Sequence, residues 1–418
     1  MKVVGLIAEY NPFHNGHLYH LEKSKEITGS KYSIAIISGS FVQRGEPSFI
    51  DKWTKAKMAI ENGIDLVIEL PIIYTVQSAE LFALGGINLL ESLGIVNYIS
   101  FGSEIGILEP LNLLAKLFVE EPNEYKVLLK QYLEKGLSFP MARSKSSVEF
   151  LQNRGFSKYN FKDILKSPNN ILAIEYLKIL YKLNSDIIPI TFSRQGTGYK
   201  DEHITNTIAS ATAIRKKGFE NEFNVMKNAL PPTSFNILKE YIDKYNSFNK
   251  LDNYSKILVY LLRTVNKEKL LQLMDVETGL ENRLINFGLK YNDINLIINS
   301  TATKRYPKTR IQRILINLLL YINKITFNRL NNPYSRYIRV LGMNQNGMLL
   351  LREIKRNSNI PVINRFTDYN QYNNSYLQEM ILYDKIATDL FFLGLGSEQL
   401  NSGNKDFTTS PYISKNTW

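Results

Sequence analysis

Three of the chain's four histidines lie within seven residues, directly after the apolar run 3–8. These are His14, His17 and His20, and Gly16 stands between the first two. A strand that leads through a loop into a helix points backbone N–H groups and the positive end of the helix dipole at a bound anion. Gly16 lets a ligand approach the backbone, and His14 and His17 can face the same side of the first turn. The pattern predicts a phosphate site, whereas one isolated histidine would be an ordinary polar residue at a helix start.

Other segments with suitable side chains follow later apolar runs. Glycines free the backbone of the segment 38–47, Gly102 gives a flat approach for an adenine or ribose, and hydroxyls near a guanidinium at 210–215 suit a triphosphate. Each segment alone is more typical of a simple turn or helix cap, and it is their coincidence at one edge of a sheet that favours a binding site. The candidate side chains are Glu9, Tyr10, Asn11, Gln43, Arg44, Arg194, Gln195, Ser210, Thr212 and Arg215.

Short apolar runs alternate with longer amphipathic runs through the first half of the chain. This alternation predicts an α/β fold, a Rossmann-like parallel sheet with crossover helices. Ligands of such sheets bind beyond the carboxyl ends of the strands, where the candidate segments lie. The expected strands are 3–8, 32–38, 66–70, 98–101 and 186–192, and the expected helices are 17–28, 52–62, 78–92, 109–118 and 170–183.

The pattern changes near residue 220. We expect an ATP-binding catalytic domain at 1–220 with a helical insertion at about 109–167. Residues 221–418 carry long helical patterns with few strand signals, for example at 255–274 and 311–325, and predict a separate, mainly helical domain.

The net charge of +12 is concentrated in the second half. Residues 1–220 hold 25 basic and 23 acidic side chains, against 26 and 16 in residues 221–418. This excess predicts a polyanionic partner, with a solvated helix face as the alternative. We name five of its members the basic stripe: Lys304, Arg305, Lys308, Arg310 and Arg313.

Several classes of protein and site are disfavoured. No apolar run approaches membrane-spanning length, no secretory signal is evident, and the chain has no cysteine, so we expect a cytoplasmic protein without a membrane partner. The P-loop, the Gly-x-Gly-x-x-Gly fingerprint and His-Glu-x-x-His are absent. A zinc site at His14, His17 and His20 is disfavoured because His14 and His20 would face different sides. We predict no protein-held metal, only Mg²⁺ bound mainly by a triphosphate.

The paired segments His14-Asn-Gly-His17 and Ser210-Ala-Thr-Ala-Ile-Arg215 resemble the signatures of the HxGH nucleotidyltransferase superfamily. More narrowly, the segments 4–17, 38–47, 101–104, 167–172 and 194–199 resemble those of the bacterial tRNA(Met) cytidine acetate ligase family. The resemblance is specific over the first 215 residues and weaker beyond them.

This resemblance implies an ATP-dependent ligase. It would join acetate, through acetyladenylate, to N4 of the wobble cytidine of elongator tRNA(Met), with DNA not a partner. The implied ATP-binding residues are Ile7, Ala8, Glu9, Tyr10, Asn11, Pro12, Phe13, His14, Asn15, Gly16, His17, Leu18, Tyr19, His20, Gly102, Arg194 and one or both of Asn169 and Asn170.

The residues predict a matching division of roles. His14 and His17 would stabilise negative charge at the α-phosphate, while Arg194 and Arg215 hold the departing phosphates. Gln195, Ser210 and Thr212 would complete the ATP site, and the basic stripe would bind the tRNA backbone, with Tyr306, Tyr321, Tyr334 and Tyr337 as candidates for base stacking. The alternatives are an adenylyltransferase acting on a small phosphorylated acceptor and an RNA-binding protein without catalysis.

Overall fold

The structure is a computed structural model that describes residues 1–194, 209–331, 336–396 and 402–415. The chain forms two compact units, one made of Met1–Val96 with Gly196–Trp418 and the other of Asn97–Gln195. Gln195, the segment 196–199 and Tyr334 lie outside the described residues.

The described strands are β1 Val3–Ala8, β2 Tyr32–Ser38, β3 Phe41–Val42, β4 Glu46–Pro47, β5 Leu66–Leu70, β6 Tyr98–Ser103, β7 Ile188–Ser193, β8 Ile338–Met343, β9 Val362–Ile363 and β10 Tyr412–Ile413.

The described helices of the first half are α1 Asn15–Thr28, α2 Lys52–Glu61, α3 Ile72–Thr75, α4 Ala79–Ser92, α5 Leu108–Glu120, α6 Asn123–Glu134, α7 Phe139–Asn153, α8 Phe161–Ile164, α9 Pro168–Leu183 and α10 Ala211–Phe219.

Those of the second half are α11 Phe223–Ala229, α12 Pro232–Tyr245, α13 Ser255–Thr264, α14 Lys267–Gln272, α15 Leu280–Lys290, α16 Ile294–Thr301, α17 Lys308–Leu320, α18 Lys324–Leu330, α19 Gln345–Asn357, α20 Ser375–Leu393 and α21 Lys405–Thr408, with short 3-10 helices at Leu251–Tyr254 and Phe366–Gln371.

The first unit is built on a sheet in the order β10-β8-β5-β2-β1, with β9 beside β8. β1 pairs with β2, and β2 with β5, in parallel register. Ile34, Ile36 and Ile68 are fully buried, as strands covered on both faces require. The predicted α/β fold and these three strands are confirmed. Their carboxyl ends therefore share one edge, which is the edge that carries the candidate loops.

β8 corrects the expectation for the second half. It is fully buried and pairs antiparallel with β5, and β10 pairs with β8 in turn. The grouping of residues 196–418 with 1–96 thus differs from the predicted division at residue 220. Arg339 interrupts the apolar run of β8, although its side chain is buried and donates to the carbonyl oxygen of Asn364 at 2.9 Å. A charged residue inside the strand hid it from the hydrophobic pattern.

Two long helices expected in the second half are each divided. The pattern at 255–274 becomes α13 and α14, because Asn266 caps α14 by accepting from the N–H of Lys269. The pattern at 311–325 becomes α17 and α18, where Tyr321 takes a left-handed conformation and Asn323 caps α18. The asparagines therefore end continuous apolar patterns.

In the second unit, β6 pairs with β7 in parallel register from Tyr98–Ile188 to Ser103–Ser193. The intervening chain is helical from α5 to α9, and α5 to α8 cover most of the segment at about 109–167 for which a helical insertion was predicted. Within the described parts of both units, no helix combines the length and apolar character needed to cross a bilayer.

Candidate active site

The HxGH segment forms the start of α1. His14 is the N-cap, and its Nδ1 accepts from the N–H of Gly16 at 3.0 Å. His17 returns the contact, since its Nδ1 accepts from the N–H of His14 at 3.2 Å. The two imidazoles therefore make a reciprocal capping box, a role usually taken by serine or threonine with glutamate. The helix start is held by the same side chains that the sequence selects for chemistry.

These hydrogen bonds set the tautomers of both histidines. A ring nitrogen that accepts from a backbone N–H cannot itself carry a proton, so in each neutral ring the proton is on Nε2. The rings stack with centroids 3.8 Å apart and an interplanar angle of 26°. The pair thus presents two Nε2–H donors at the positive end of a helix dipole, which suits the negative charge of a phosphate.

Tyr10 and Asn11 shape the loop that precedes this pair. Tyr10 is buried with a backbone φ of 45°, a left-handed value that costs a tyrosine energy. Its ring makes edge contacts with Phe13 and His17, each at 4.9 Å between centroids. Asn11 Oδ1 accepts from the N–H of Phe49 at 2.6 Å. Packing and hydrogen bonds therefore fix the loop in a conformation that the sequence alone would disfavour.

Two guanidinium groups lie beside the same loop. Arg215 Nη1 donates to the carbonyl oxygen of Asn11 at 3.2 Å, and its Nη2 lies 3.5 Å from Glu46 Oε2. Burial lowers the pKa of Arg44, and the charge of Arg215 lowers it further, while Glu9 and Glu46 raise it. Two partly buried cations close to one another are poised to accept a polyanion.

The remaining predicted residues of the first unit have mixed positions. Ile7 and Ala8 end β1, and Leu18, Tyr19 and His20 follow in the first turns of α1. Ser210 caps α10, where its Oγ accepts from the N–H of Ala213 at 3.1 Å. Thr212 lies against Arg215, with Oγ1 3.5 Å from Nη2. The two hydroxyls therefore support α10 and Arg215.

The predicted residues of the second unit form their own cluster around Glu104. Its carboxylate accepts from Nδ2 of Asn169 at 2.8 Å and from the N–H groups of Asn169 and Asn170 at 3.1 and 2.7 Å. Asn170 Oδ1 accepts in return from the N–H of Glu104 at 2.9 Å. Asn170 is buried and ties β6 to α9, whereas Asn169 is half-buried.

Arg194 joins this cluster at the end of β7. Its Nη1 donates to Oδ1 of Asn169 at 3.4 Å, and a Cβ on Gly102 would lie 2.8 Å from its Cγ. Burial lowers the pKa of Arg194, while the Glu104 carboxylate opposes that shift. Gly102 is required by the passage of the arginine across β6. Of these side chains Arg194 is exposed and Asn169 half-buried, whereas Asn170 is buried, with its Oδ1 accepting from backbone N–H groups.

A buried charge cluster lies at the start of α2. Lys52 Nζ is 2.9 Å from Oε2 of Glu69 and 2.8 Å from Oδ1 of Asp406, and all three side chains are almost fully buried. Burial raises the pKa of Glu69 and Lys52 opposes that rise. Burial lowers the pKa of Lys52, but Asp406 and Glu69 outweigh it, so the net shift is upward. The cluster connects α2, β5 and α21.

The basic stripe is less uniform than the sequence suggests. Arg310 lies 2.7 Å from Glu277, and Arg305 also pairs with Glu277. Arg313 pairs with Asp275 at 2.7 Å. Lys304 and Lys308 are exposed, and neither forms an ion pair with another described residue. These two lysines are the members of the stripe whose charge is uncompensated within the described structure.

The tyrosines proposed for base stacking also differ among themselves. Tyr337 is fully buried and donates to Asp384 at 2.5 Å, and Tyr306 is 8% exposed, so stacking by these two is wrong. Tyr321 is 67% exposed and stays a prediction. Tyrosines in helical patterns are more often core residues, as these two are.

The predicted site residues include Arg44 but omit Glu46 and Glu104, which the structure brings beside Arg215 and Asn169. The signal was present, since each lies in a loop that follows a strand end. What the sequence does not give is their pairing, because Glu46 and Arg215 are separated by most of the first domain.

The chain matches the HIGH Nucleotidyl Transferase family over residues 1–406. It is 40% identical over 414 residues to the tRNA(Met) cytidine acetate ligase of Halothermothrix orenii, covering 97% of this chain and 98% of that protein. It is 42% identical over 421 residues to the protein of the same name from Clostridium botulinum, covering all of both.

The structure is similar to a crystal structure of Thermotoga maritima TmcAL bound with alpha-thio ATP. The TM-score is 0.92 at 31% sequence identity, with 99% of each chain covered. The apo form of the same protein gives 0.94 at 32% identity and the same coverage. Sequence and structure agree over nearly the whole length. The chain belongs to the HIGH Nucleotidyl Transferase family and, within it, to the family of the tRNA(Met) cytidine acetate ligases.

Proposed function

We propose that this protein uses ATP to activate acetate as acetyladenylate and transfers the acetyl group to N4 of the wobble cytidine of elongator tRNA(Met). The observation that carries the proposal is the stacked pair His14 and His17, with both Nε2–H donors fixed at the start of α1. The names of the relatives and the ATP analogue in the related crystal structure support it.

In the first step an acetate oxygen attacks the α-phosphorus of ATP, and the bond to the β-phosphate oxygen breaks to release pyrophosphate. His14, His17 and the N–H groups at the start of α1 stabilise the charge that develops on the phosphoryl oxygens. Arg194 and Arg215 hold the leaving pyrophosphate, and Arg44 adds a second positive charge beside Arg215. Catalysis here is positioning and charge stabilisation.

In the second step the N4 amine of cytidine attacks the acyl carbonyl, loses a proton and displaces AMP. The base must leave the anticodon stack to reach the adenylate. The basic stripe, with Lys304 and Lys308 as its uncompensated charges, binds the tRNA backbone. Because both ATP and tRNA are cytoplasmic substrates, we place the reaction in the cytoplasm.

For ATP we propose the segment 7–20 with Ser210 and Thr212 behind Arg215. In the second unit we propose Gly102, Asn169 and Arg194, and we assign Asn170 a supporting role because its Oδ1 accepts from the N–H groups of Glu104 and Ile105. Gln195 stays a prediction from the sequence.

Mg²⁺ bound mainly by the triphosphate fits this site. It needs only one or two protein ligands, and Glu9 and Glu46 are the carboxylates beside the loop. Among the described residues there is no group of three histidine or acidic side chains placed to hold a metal ion. When bound, Mg²⁺ would neutralise charge on the phosphates.

The test measures pyrophosphate release from ATP with and without acetate, followed by mass analysis of nucleosides from tRNA incubated with protein, ATP and acetate. We expect acetate-dependent release and N4-acetylcytidine. Release that requires a small phosphorylated acceptor in place of acetate would favour the adenylyltransferase alternative. Binding of tRNA without release of pyrophosphate would favour the non-catalytic one.

A further inference from the structure

We propose that Lys55 is a positioning residue of this site, whose ammonium group ties together the ends of β1 and β2 and so sets the spacing of the two loops that follow them. The proposal rests on the proposed ATP site at the start of α1.

The side chain of Lys55 is completely buried beneath the carboxyl ends of the two strands. Its Nζ donates to the carbonyl oxygens of Ser38 at 2.6 Å, Gly39 at 2.8 Å and Glu9 at 3.3 Å. An ammonium has three N–H donors, and three carbonyl oxygens converge on it. Buried carbonyl groups without donors are costly, so one cation satisfies three acceptors that the ends of the strands leave open.

The three carbonyl groups belong to the loops that form the candidate site. Glu9 begins the loop that leads to His14, and its Oε1 accepts from the N–H of Gln43 at 2.8 Å. Gly39 begins the segment that carries Gln43 and Arg44. Lys55 therefore bonds to both loops at their first residues, and the contact between Glu9 and Gln43 joins them again further along. Loss of the ammonium would free both loops from one common point.

The charge on this amine depends on pH. Burial lowers the pKa of Lys55 to about 7, against the opposing effects of Glu9 on the first loop, Glu69 on β5 and Asp51 at the start of its own helix, with Lys52 lowering it further. As the pH rises through this value the group loses a proton and has two donors for three carbonyl oxygens. We expect the grip on the loops to weaken in the same range.

The first test compares Lys55→Met with Lys57→Met, its matched control on the more exposed side of the same helix, where Lys57 pairs with Glu240. For Lys55→Met we expect kcat/KM for ATP to fall about 100-fold, because a displacement of about 1 Å has that effect on a positioned reaction. The affinity for tRNA and the near-ultraviolet circular dichroism should be retained. A purely structural role would lower the folded fraction and leave the KM of the folded enzyme unchanged, and that result would overturn the proposal.

The second test uses Lys55→Arg, whose charge does not titrate. In the wild-type protein KM for ATP should rise between pH 6 and 8.5, and this rise should be smaller in the arginine variant, whose residue 55 keeps its charge over that range. Superimposable pH profiles would overturn the proposal. If neither variant folds, the amide exchange rates of residues 39–43 in the wild-type protein decide. We expect these rates to increase with pH more steeply than the intrinsic exchange rate does.

His17→Ala separates this inference from the function on which it rests. If acetate-dependent pyrophosphate release by His17→Ala stays within tenfold of the wild-type rate, the proposed site itself is wrong. If release is lost in His17→Ala but the Lys55 variants behave as wild type, the site stands and the role of Lys55 is wrong.

Discussion

Replacement of His17 tests the chemistry of the stacked pair most directly. His17→Ala removes the Nε2–H donor that we propose for the α-phosphate and also the Nδ1 acceptor that caps the N–H of His14. Loss of one preorganised donor to a developing anion lowers kcat about 10²–10³-fold, or about 2.7–4 kcal/mol. Loss of the cap lowers the free energy of unfolding by about 1 kcal/mol.

His17→Gln separates these two effects. Glutamine at the third position of a helix also completes a capping box, so this variant should recover the stability lost in alanine. It should not recover the rate, because the stacked imidazole is absent. The assays are acetate-dependent release of pyrophosphate, thermal unfolding and equilibrium binding of tRNA.

We expect both His17 variants to bind tRNA nearly as tightly as the wild-type protein. A rate loss below tenfold in His17→Ala would refute the assignment of His17 to the α-phosphate. An equal loss of ATP and tRNA binding would refute the division of roles between α1 and the basic stripe.

Three further predictions concern binding and stability. Replacing Lys304 and Lys308 by alanine should weaken tRNA binding and reduce the slope of log affinity against log salt by about 2, and an unchanged slope would place the RNA surface elsewhere. Lys52→Met should lower the free energy of unfolding by about 3–5 kcal/mol at pH 8, because buried Glu69 loses the cation beside it and Asp406 keeps the more distant Arg339, at 3.6 Å. The loss should be smaller at pH 5, where the folded variant can protonate these carboxylates; urea titrations that give equal losses at both pH values would contradict this. Gly45→Ala should lower the free energy of unfolding by at least about 1 kcal/mol more than Gly136→Ala does. Both glycines have φ near +78°, but only a Cβ on Gly45 meets the backbone of α17. Equal losses of unfolding free energy in urea titrations would show that this contact gives way.

The parallel strands of the first unit could be predicted because their apolar runs are nearly continuous. The start of α1 could also be predicted, since Gly16 and the paired histidines have a specific spacing after β1. The reciprocal capping by the two imidazoles could not be predicted, because histidine is not a typical capping residue and its tautomer depends on three-dimensional contacts.

The features that were missed depend on partners distant in sequence. Lys55 has the pattern of an ordinary residue of an amphipathic helix, and only the fold brings three carbonyl groups to it. The arginines of the basic stripe pair with Asp275 and Glu277, about 30 residues earlier in the chain. Charge counts over a window of sequence do not include such pairs.

The position of β8 beside β5 also determines how this protein can be made. In a fragment ending near residue 220, the backbone hydrogen-bonding groups of β5 that face β8 would have no partner strand. Such an open edge favours pairing between molecules. During synthesis the same edge waits for some 270 residues before its neighbour emerges, and pairings of such long sequence separation form slowly. The first 220 residues are therefore unlike an independent module: the ribosome must finish most of the chain before their sheet is complete.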